Sequence, residues 1–339
     1  MRRALSAIRI SRVSGLLLFV AWMAHTAVPV LASGIQAIVG AQSEDKGRQA
    51  LAFLHNELWV HVGDSVTWAF PTDEPHTVTF LGATQVRPPF PVGCPTGAPP
   101  SGTTPSGTSY PAVACVNSGI LLGGATYTVQ FPTSGNFKLV CLLHTNMTGV
   151  VHVLEFSEPL PHHQAFYDFQ AALQRFELLS DGLRLTGRGI FTAETTSRRE
   201  VTAGIGEVVA TGGGSQTMSV MRFLNSRIVV RVGDTVEWTN LDPVTPHTVT
   251  FGTEPADPRP KSADVTSAPD KALKTVLNSP SDSTNSGLIV AEQQDRTGSA
   301  QTPPGVTRFR VTFNGPGVFK YICALHDDLG MEGRVIVVP

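Results

Sequence analysis

Phe53-Leu-His-Asn-Glu-Leu-Trp-Val-His-Val-Gly-Asp-Ser-Val-Thr-Trp68 returns without a gap as Phe223-Leu-Asn-Ser-Arg-Ile-Val-Val-Arg-Val-Gly-Asp-Thr-Val-Glu-Trp238. Apolar residues fall on alternate positions in both, at Val60, Val62, Val66 and Trp68 and at Val230, Val232, Val236 and Trp238. This is the period of half-buried strands, and the Gly-Asp between them is turn chemistry. Further on, Phe131-Pro-Thr-Ser-Gly-Asn-Phe-Lys-Leu-Val-Cys141 returns as Phe313-Asn-Gly-Pro-Gly-Val-Phe-Lys-Tyr-Ile-Cys323. The chain is a tandem repeat of one β unit.

With 339 residues, 41% of them hydrophobic and 15% charged, the chain can bury two cores of ordinary domain size. Its 32 glycines and 25 prolines among Val/Thr runs favour short strands and turns. The expected fold is all-β: two tandem antiparallel Greek-key β-sandwich domains, residues 33–156 and 201–339, joined by a short amphipathic helix in a linker at 157–200. In that linker Phe166, Phe169, Leu173, Phe176 and Leu179 recur at helical spacing, with Pro161 near the start and Gly182 after the end. This stripe is expected to pack on one or both sandwiches. The polar face, with Asp168 and Glu177 beside Arg175, is not basic enough for a membrane-surface helix.

The copies differ where loops are expected. Copy one inserts the segment from Cys94 to Cys115, and copy two a Pro/Ser/Asp-rich stretch from about Glu254 to Val306. An Asn-Ser-Gly element, Asn117-Ser-Gly119 and Asn285-Ser-Gly287, accompanies each and reads as a turn into a strand with no chemistry of its own.

Arg2, Arg3, Arg9 and Arg12 precede the apolar run Gly15-Leu-Leu-Leu-Phe-Val-Ala-Trp-Met-Ala, and small residues close it at Ala32. Residues 1–32 read as a secretory signal peptide, so the protein is expected to be exported, periplasmic or extracellular. An uncleaved membrane anchor is the competing reading, opposed by His25 and Pro29 within the segment. Arg2-Arg3 also suits a twin-arginine signal. Without this segment 21 basic and 27 acidic residues remain, a formal charge of −6. An acidic chain with no basic stripe is a poor nucleic-acid binder.

Four cysteines occur. Cys141 and Cys323 sit beside histidines, which leaves Cys94 and Cys115 to form a disulfide in an exported protein. Copy one reads Pro75-His76-Thr77-Val78 and then Cys141-Leu-Leu-His144-Thr-Asn-Met147; copy two reads Pro246-His247-Thr248-Val249 and then Cys323-Ala-Leu-His326-Asp-Asp-Leu-Gly-Met331. Two imidazoles, a thiolate and a thioether are what a mononuclear copper electron-transfer site needs, because soft sulfur holds Cu(I) and imidazole serves both oxidation states.

These motifs resemble the cupredoxins, the blue copper proteins that include plastocyanin, pseudoazurin and amicyanin. The resemblance covers nearly all of both repeats. It implies a first copper held by His76, Cys141, His144 and Met147, and a second held by His247, Cys323, His326 and Met331. The copy-two loop is C-x2-H-x4-M, as in plastocyanin-like proteins, and the copy-one loop is the shorter C-x2-H-x2-M of amicyanin-like ones. The family often has Asn after the upstream histidine, where this chain has Thr77 and Thr248. Several relatives have Pro before the loop histidine, where this chain has Leu143 and Leu325. A Thr hydroxyl and an added Leu N–H near sulfur would raise the reduction potential.

The function implied is an exported carrier of single electrons with two copper ions cycling between Cu(I) and Cu(II). Its expected partners are redox proteins, such as a c-type cytochrome or an oxidase or reductase. No nucleic acid is expected, and a membrane only if the signal peptide stays uncleaved. A redox enzyme of the multicopper oxidase or nitrite reductase type is the main rival, but it needs His-x-His pairs or a His beside the ligand Cys, and the sequence has neither. Copper buffering or delivery is a third reading, disfavoured by only six methionines. His55, His61, His152, His162 and His163 lack partners at ligand spacing and read as strand-face or surface residues. The pair His162-His163 can take adventitious metal. Trp59, Trp68 and Trp238 read as core, and Asp327 and Asp328 as solvated charge beside the loop histidine, with docking to a basic partner as the alternative.

Overall fold

Alternation of buried and open side chains builds the strands. The computed structural model describes residues 34–82, 85, 87, 94, 102–196, 199–292 and 305–339; the expected signal peptide lies outside the described residues. Copy one supplies β1 (Gly34–Gln42), β2 (Arg48–Leu54), β3 (Glu57–His61), β4 (Ser65–Phe70), β5 (Thr79–Phe80), β6 (Thr108–Ser109), β7 (Val116–Asn117), β8 (Ala125–Gln130), β9 (Gly135–Val140) and β10 (Thr148–Leu154). After helix α1 (Gln164–Thr196), copy two supplies β11 (Glu200–Thr211), β12 (Gly214–Leu224), β13 (Arg227–Arg231), β14 (Thr235–Leu241), β15 (Thr250–Phe251), β16 (Thr266–Ser267), β17 (Leu273–Leu277), β18 (Thr284–Asn285), β19 (Arg308–Phe313), β20 (Gly317–Ile322) and β21 (Glu332–Val338).

In β3 and β4 Leu58, Val60, Val66, Trp68 and Phe70 are buried and the residues between them are not. The Gly-Asp turn joins strands of opposite sheets rather than a hairpin, since β3 pairs with β10 and β4 with β1 and β8. Its aspartate closes the corner: the His61 N–H donates to Asp64 Oδ2 at 2.9 Å, and the Arg231 N–H to Asp234 Oδ2 at 2.9 Å. Antiparallel ladders dominate, with parallel pairs β1/β4 and β3/β10 repeated as β11/β14 and β13/β21.

The two sandwiches share a sheet. Each copy has its own five-stranded sheet, β3-β10-β9-β5-β7 or β13-β21-β20-β15-β18. The facing sheets merge into one of eleven strands, ordered β16-β17-β19-β14-β11-β12-β2-β1-β4-β8-β6. The seam is the antiparallel pair β12/β2, with Thr217 opposite Leu51 and Val220 opposite Arg48. In an isolated copy β2 would be an open edge, and pairing satisfies its backbone. The long insertion of copy two is partly ordered as sheet, because β17 within it pairs in parallel with β19.

Helix α1 is longer than its pattern suggested and turned differently. It runs 33 residues, straight through Gly182. A Cβ on Gly182 would lie 3.0 Å from Arg48 Cδ and Met218 Cε, so this glycine permits close packing on the sheet and does not end the helix. The buried side is Ala171, Leu178 and Leu185, set against Ala41, Ala50, Ala52, Met218 and Val220 across the seam, while the buried Tyr167 joins the main core and its hydroxyl accepts from the Trp59 N–H. Of the expected stripe, Phe166 and Leu179 pack at the margin, whereas Phe169 and Phe176 stand 63% and 70% exposed. A helix packs closely on a sheet where small residues let it approach, and here the sheet carries Ala41, Ala50 and Ala52 while the helix brings Ala171 and Gly182. No helix among the described residues is long and apolar enough to cross a membrane.

Cys94 and Cys115 are disulfide-bonded. Closing a loop of 21 residues stabilises by roughly 3 kcal/mol in the chain-entropy picture. Cys94→Ser with Cys115→Ser is expected to lower stability by about that amount in urea unfolding, with metal uptake unchanged, since neither residue joins the buried clusters described next.

Candidate metal centres

Each cluster is assembled by strands that the repeat dictates. In copy one His76 bridges to Leu121 just before β5, Cys141 follows β9, and His144 lies in the loop to β10. In copy two His247 bridges to Ile289 before β15, Cys323 follows β20, and His326 precedes a single 3-10 turn, Asp327–Leu329. The loop closes identically in both copies: the Cys141 N–H donates to the Met147 carbonyl and the Cys323 N–H to that of Met331, each at 3.0 Å. Met147 and Met331 are fully buried in the same core cluster as the cysteines.

The structure brings His76, Cys141 and His144 together, and likewise His247, Cys323 and His326, with ligand atoms of each set within 4.8 Å of one another and all buried. In copy two the separations are 3.1 Å between the two Nδ1 atoms, 3.8 Å from Sγ to His247 Nδ1 and 3.4 Å from Sγ to His326 Nδ1. The point equidistant from these three atoms lies about 2 Å from each, the length of a transition-metal bond to imidazole or thiolate. In copy one the Nδ1 atoms are also 3.1 Å apart, and Sγ is 3.7 Å from His144 Nδ1. Nδ1 is the atom that His76 and His247 turn toward the other ligands, while their Nε2 atoms are buried without a hydrogen-bond partner. The donor set fits a thiophilic transition metal such as copper.

Charge in the pockets favours a cation. Burial alone would push the Cys141 thiol up, yet the hydrogen bonds and charges of His144 and His76 more than offset it and hold the thiol well below its ordinary range. Cys323 is lowered likewise against burial by the charge of His326 and a hydrogen bond from His247. Burial would lower His144, but Cys141 and the Glu74 carboxylate push it up to about 10. The same groups that favour a proton on His144 would favour a metal cation, so metal binding would compete with that proton.

Several groups that hold the clusters were not singled out in the sequence. Gly40, at φ +76°, and Gly204, at φ +80°, lie under the upstream histidines; a Cβ on Gly40 would sit 2.6 Å from His76 Nε2, and one on Gly204 would overlap the His247 ring. Both occupy bulges, between Val39 and Ala41 and between Ala203 and Ile205. Arg87 donates to the carbonyls of Thr145 and Cys141, pinning the shorter loop. Glu74 is fully buried, with His144 Nε2 at 3.1 Å from Oε1. Its signal was faint: an acid two residues before His76, where the repeat has Thr245.

Around sulfur the expectation needs correction. The backbone N–H of Thr77 donates to Cys141 Sγ at 3.4 Å and that of Thr248 to Cys323 Sγ at 3.3 Å. The threonine hydroxyls instead accept from the residue after each cysteine, Leu142 N–H at 2.7 Å and Ala324 N–H at 2.8 Å. Among the described residues, the backbone bond to each sulfur comes from Thr77 or Thr248, not from Leu143 or Leu325. The Asn-Ser-Gly elements also do more than turn: Asn117 accepts from Thr79 and Ser118 from the Val78 N–H, with Asn285, Thr250, Ser286 and Val249 repeating the pattern. Each thereby braces the strand that carries the upstream histidine.

Among the described residues, no other histidine joins either cluster. His152 stacks on Trp59 and bonds Asn136, and His162 stacks on Phe166. Trp68 and Trp238 are wholly buried core residues, and Trp59 packs at the core margin.

A family profile described as copper binding proteins, plastocyanin/azurin family, matches residues 40–154 and again 209–338. Solved structures similar to the chain include amicyanin from Paracoccus versutus, 16% identical over 38% of this chain and 86% of that one, TM-score 0.23. A fern plastocyanin from Dryopteris crassirhizoma is 19% identical over 41% and 99%, TM-score 0.22, and a purple cupredoxin from Nitrosopumilus maritimus is 18% identical over 35% and 99%, TM-score 0.22. No curated protein matches the chain.

Proposed function

We propose that this chain, which belongs to the plastocyanin/azurin family of copper binding proteins, is an exported one-electron carrier with two mononuclear type 1 copper sites. The first would be held by His76, Cys141, His144 and Met147, the second by His247, Cys323, His326 and Met331. The observation that carries this reading is the duplicated, buried His/Cys/His cluster on a rigid sheet scaffold. Bound copper would supply the Cu(I)/Cu(II) couple.

The protein's part is to keep the site from rearranging. β5 and β9 fix His76 and Cys141 through the sheet, the Cys-to-Met hydrogen bond fixes the loop, and the Thr77 or Thr248 N–H offsets charge on sulfur. A scaffold that holds ligands in one geometry leaves little to reorganise when an electron arrives or leaves. The ligand side chains are buried, with His144 5% and His326 6% exposed and the other ligands 0%, which keeps bulk water largely away from either cluster. Export is supported by the disulfide, which persists in oxidising compartments. Redox proteins remain the proposed partners.

Copper-loaded protein mixed with a one-electron reductant such as reduced cytochrome c is expected to accept two electrons per chain and then stop, with no uptake of oxygen or nitrite. Continuing turnover of either would favour the enzyme reading.

A further inference from the structure

Electron carriage by two separate centres gives no role to Glu74. Its carboxylate is 4% exposed, and burying such a group is costly unless it is partnered. The partners come from both copies: Oε1 lies 3.1 Å from Nε2 of His144, and Oε2 lies 4.0 Å from Nε2 of His326. Both rings turn Nδ1 toward their own cluster and Nε2 toward the same carboxylate. Thr245 stands at the matching place in copy two, where the buried carboxylate of Asp242, which accepts from Ser219, also acts on His326 by its charge. The two copies whose loops meet at this carboxylate are joined by the pairing of β2 with β12.

We propose that Glu74 is a bridging residue that positions the ligand His144 by a hydrogen bond, acts on the ligand His326 through its charge, and so tunes the reduction potentials of both copper centres. The inference rests on the copper reading given above. An imidazole whose Nε2–H donates to a carboxylate is a stronger donor through Nδ1. At His326 the separation exceeds a hydrogen bond, so there the carboxylate acts through its charge, which is poorly screened in a buried seam. Both effects favour Cu(II). A residue of domain one therefore sets the potential of domain two.

The test uses the full chain carrying Cys141→Ala, so that only the copy-two site can load. In this background Glu74→Leu is expected to shift the Cu(II)-over-Cu(I) preference of that site about tenfold toward Cu(I), a rise of about 59 mV for one electron, and to move its visible absorption. Glu74→Gln, which keeps the shape and one acceptor, is expected to give a smaller rise and serves if the leucine variant fails to fold. In the metal-free chain Glu74→Gln is also expected to move the ring nitrogen signals of both His144 and His326. An unchanged copy-two potential and an unmoved His326 signal, with Cys141→Ala protein blue and loaded, would overturn the bridge while leaving the copper reading intact. A Cys141→Ala protein that takes up no copper would instead sink the copy-two site, and the bridge with it.

Discussion

Cys323→Ala is expected to leave one copper per chain and about half of the thiolate-to-copper absorption, and Cys141→Ala the same with the other half. Each cysteine is the sole thiolate of its cluster and is wholly buried, so its loss removes the soft donor and leaves two imidazoles 3.1 Å apart. Affinity at the affected site should fall by well over the 10- to 100-fold typical of losing an outer hydrogen-bond partner. Alanine fills nearly the same space, so the fold should persist and the opposite site should keep its copper. Metal analysis with visible spectra reads both outcomes; loss of both coppers from either variant would contradict independent ligation.

Gly204→Ala is expected to cost about 2–5 kcal/mol and to empty copy two without touching its ligands. A residue with a Cβ at φ +80° is strained by about 1–2 kcal/mol, and overpacking against a fixed ring adds about 1–3 kcal/mol. The ring in question is His247, which has no room to retreat because the cluster lies on its other side. Urea unfolding together with copper content of the variant gives the result, and a fully loaded protein of unchanged stability would contradict it. Gly40→Ala should act in the same way on His76.

The duplicated pattern around Val-Gly-Asp-x-Val-x-Trp made both sandwiches readable, because strand burial has a period of two and the turn residues recur with it. The ligand types were readable for a similar reason: cysteine and histidine at loop spacing carry their chemistry in their identity. What the sequence concealed depends on relations between segments. The merging of two sheets follows from pairing of β2 with β12, which no local pattern encodes. The apolar stripe does not mark the buried face of α1, because Phe169 and Phe176 are apolar but bulky, whereas the alanine-lined sheet admits Ala171 and Gly182. Thr77 and Thr248 were placed near sulfur but not on the atoms they serve, because a hydroxyl can accept from any neighbouring N–H. Glu74 had no meaning until both loops were seen to converge on it.

The most direct measurement is the copper content and visible spectrum of residues 33–339 after loading. Two coppers per chain with intense thiolate-to-Cu(II) absorption are expected, bleached by two electrons and restored on reoxidation. A protein that binds copper without that absorption, or binds none, would contradict the claim that both His/Cys/His clusters are electron-transfer sites.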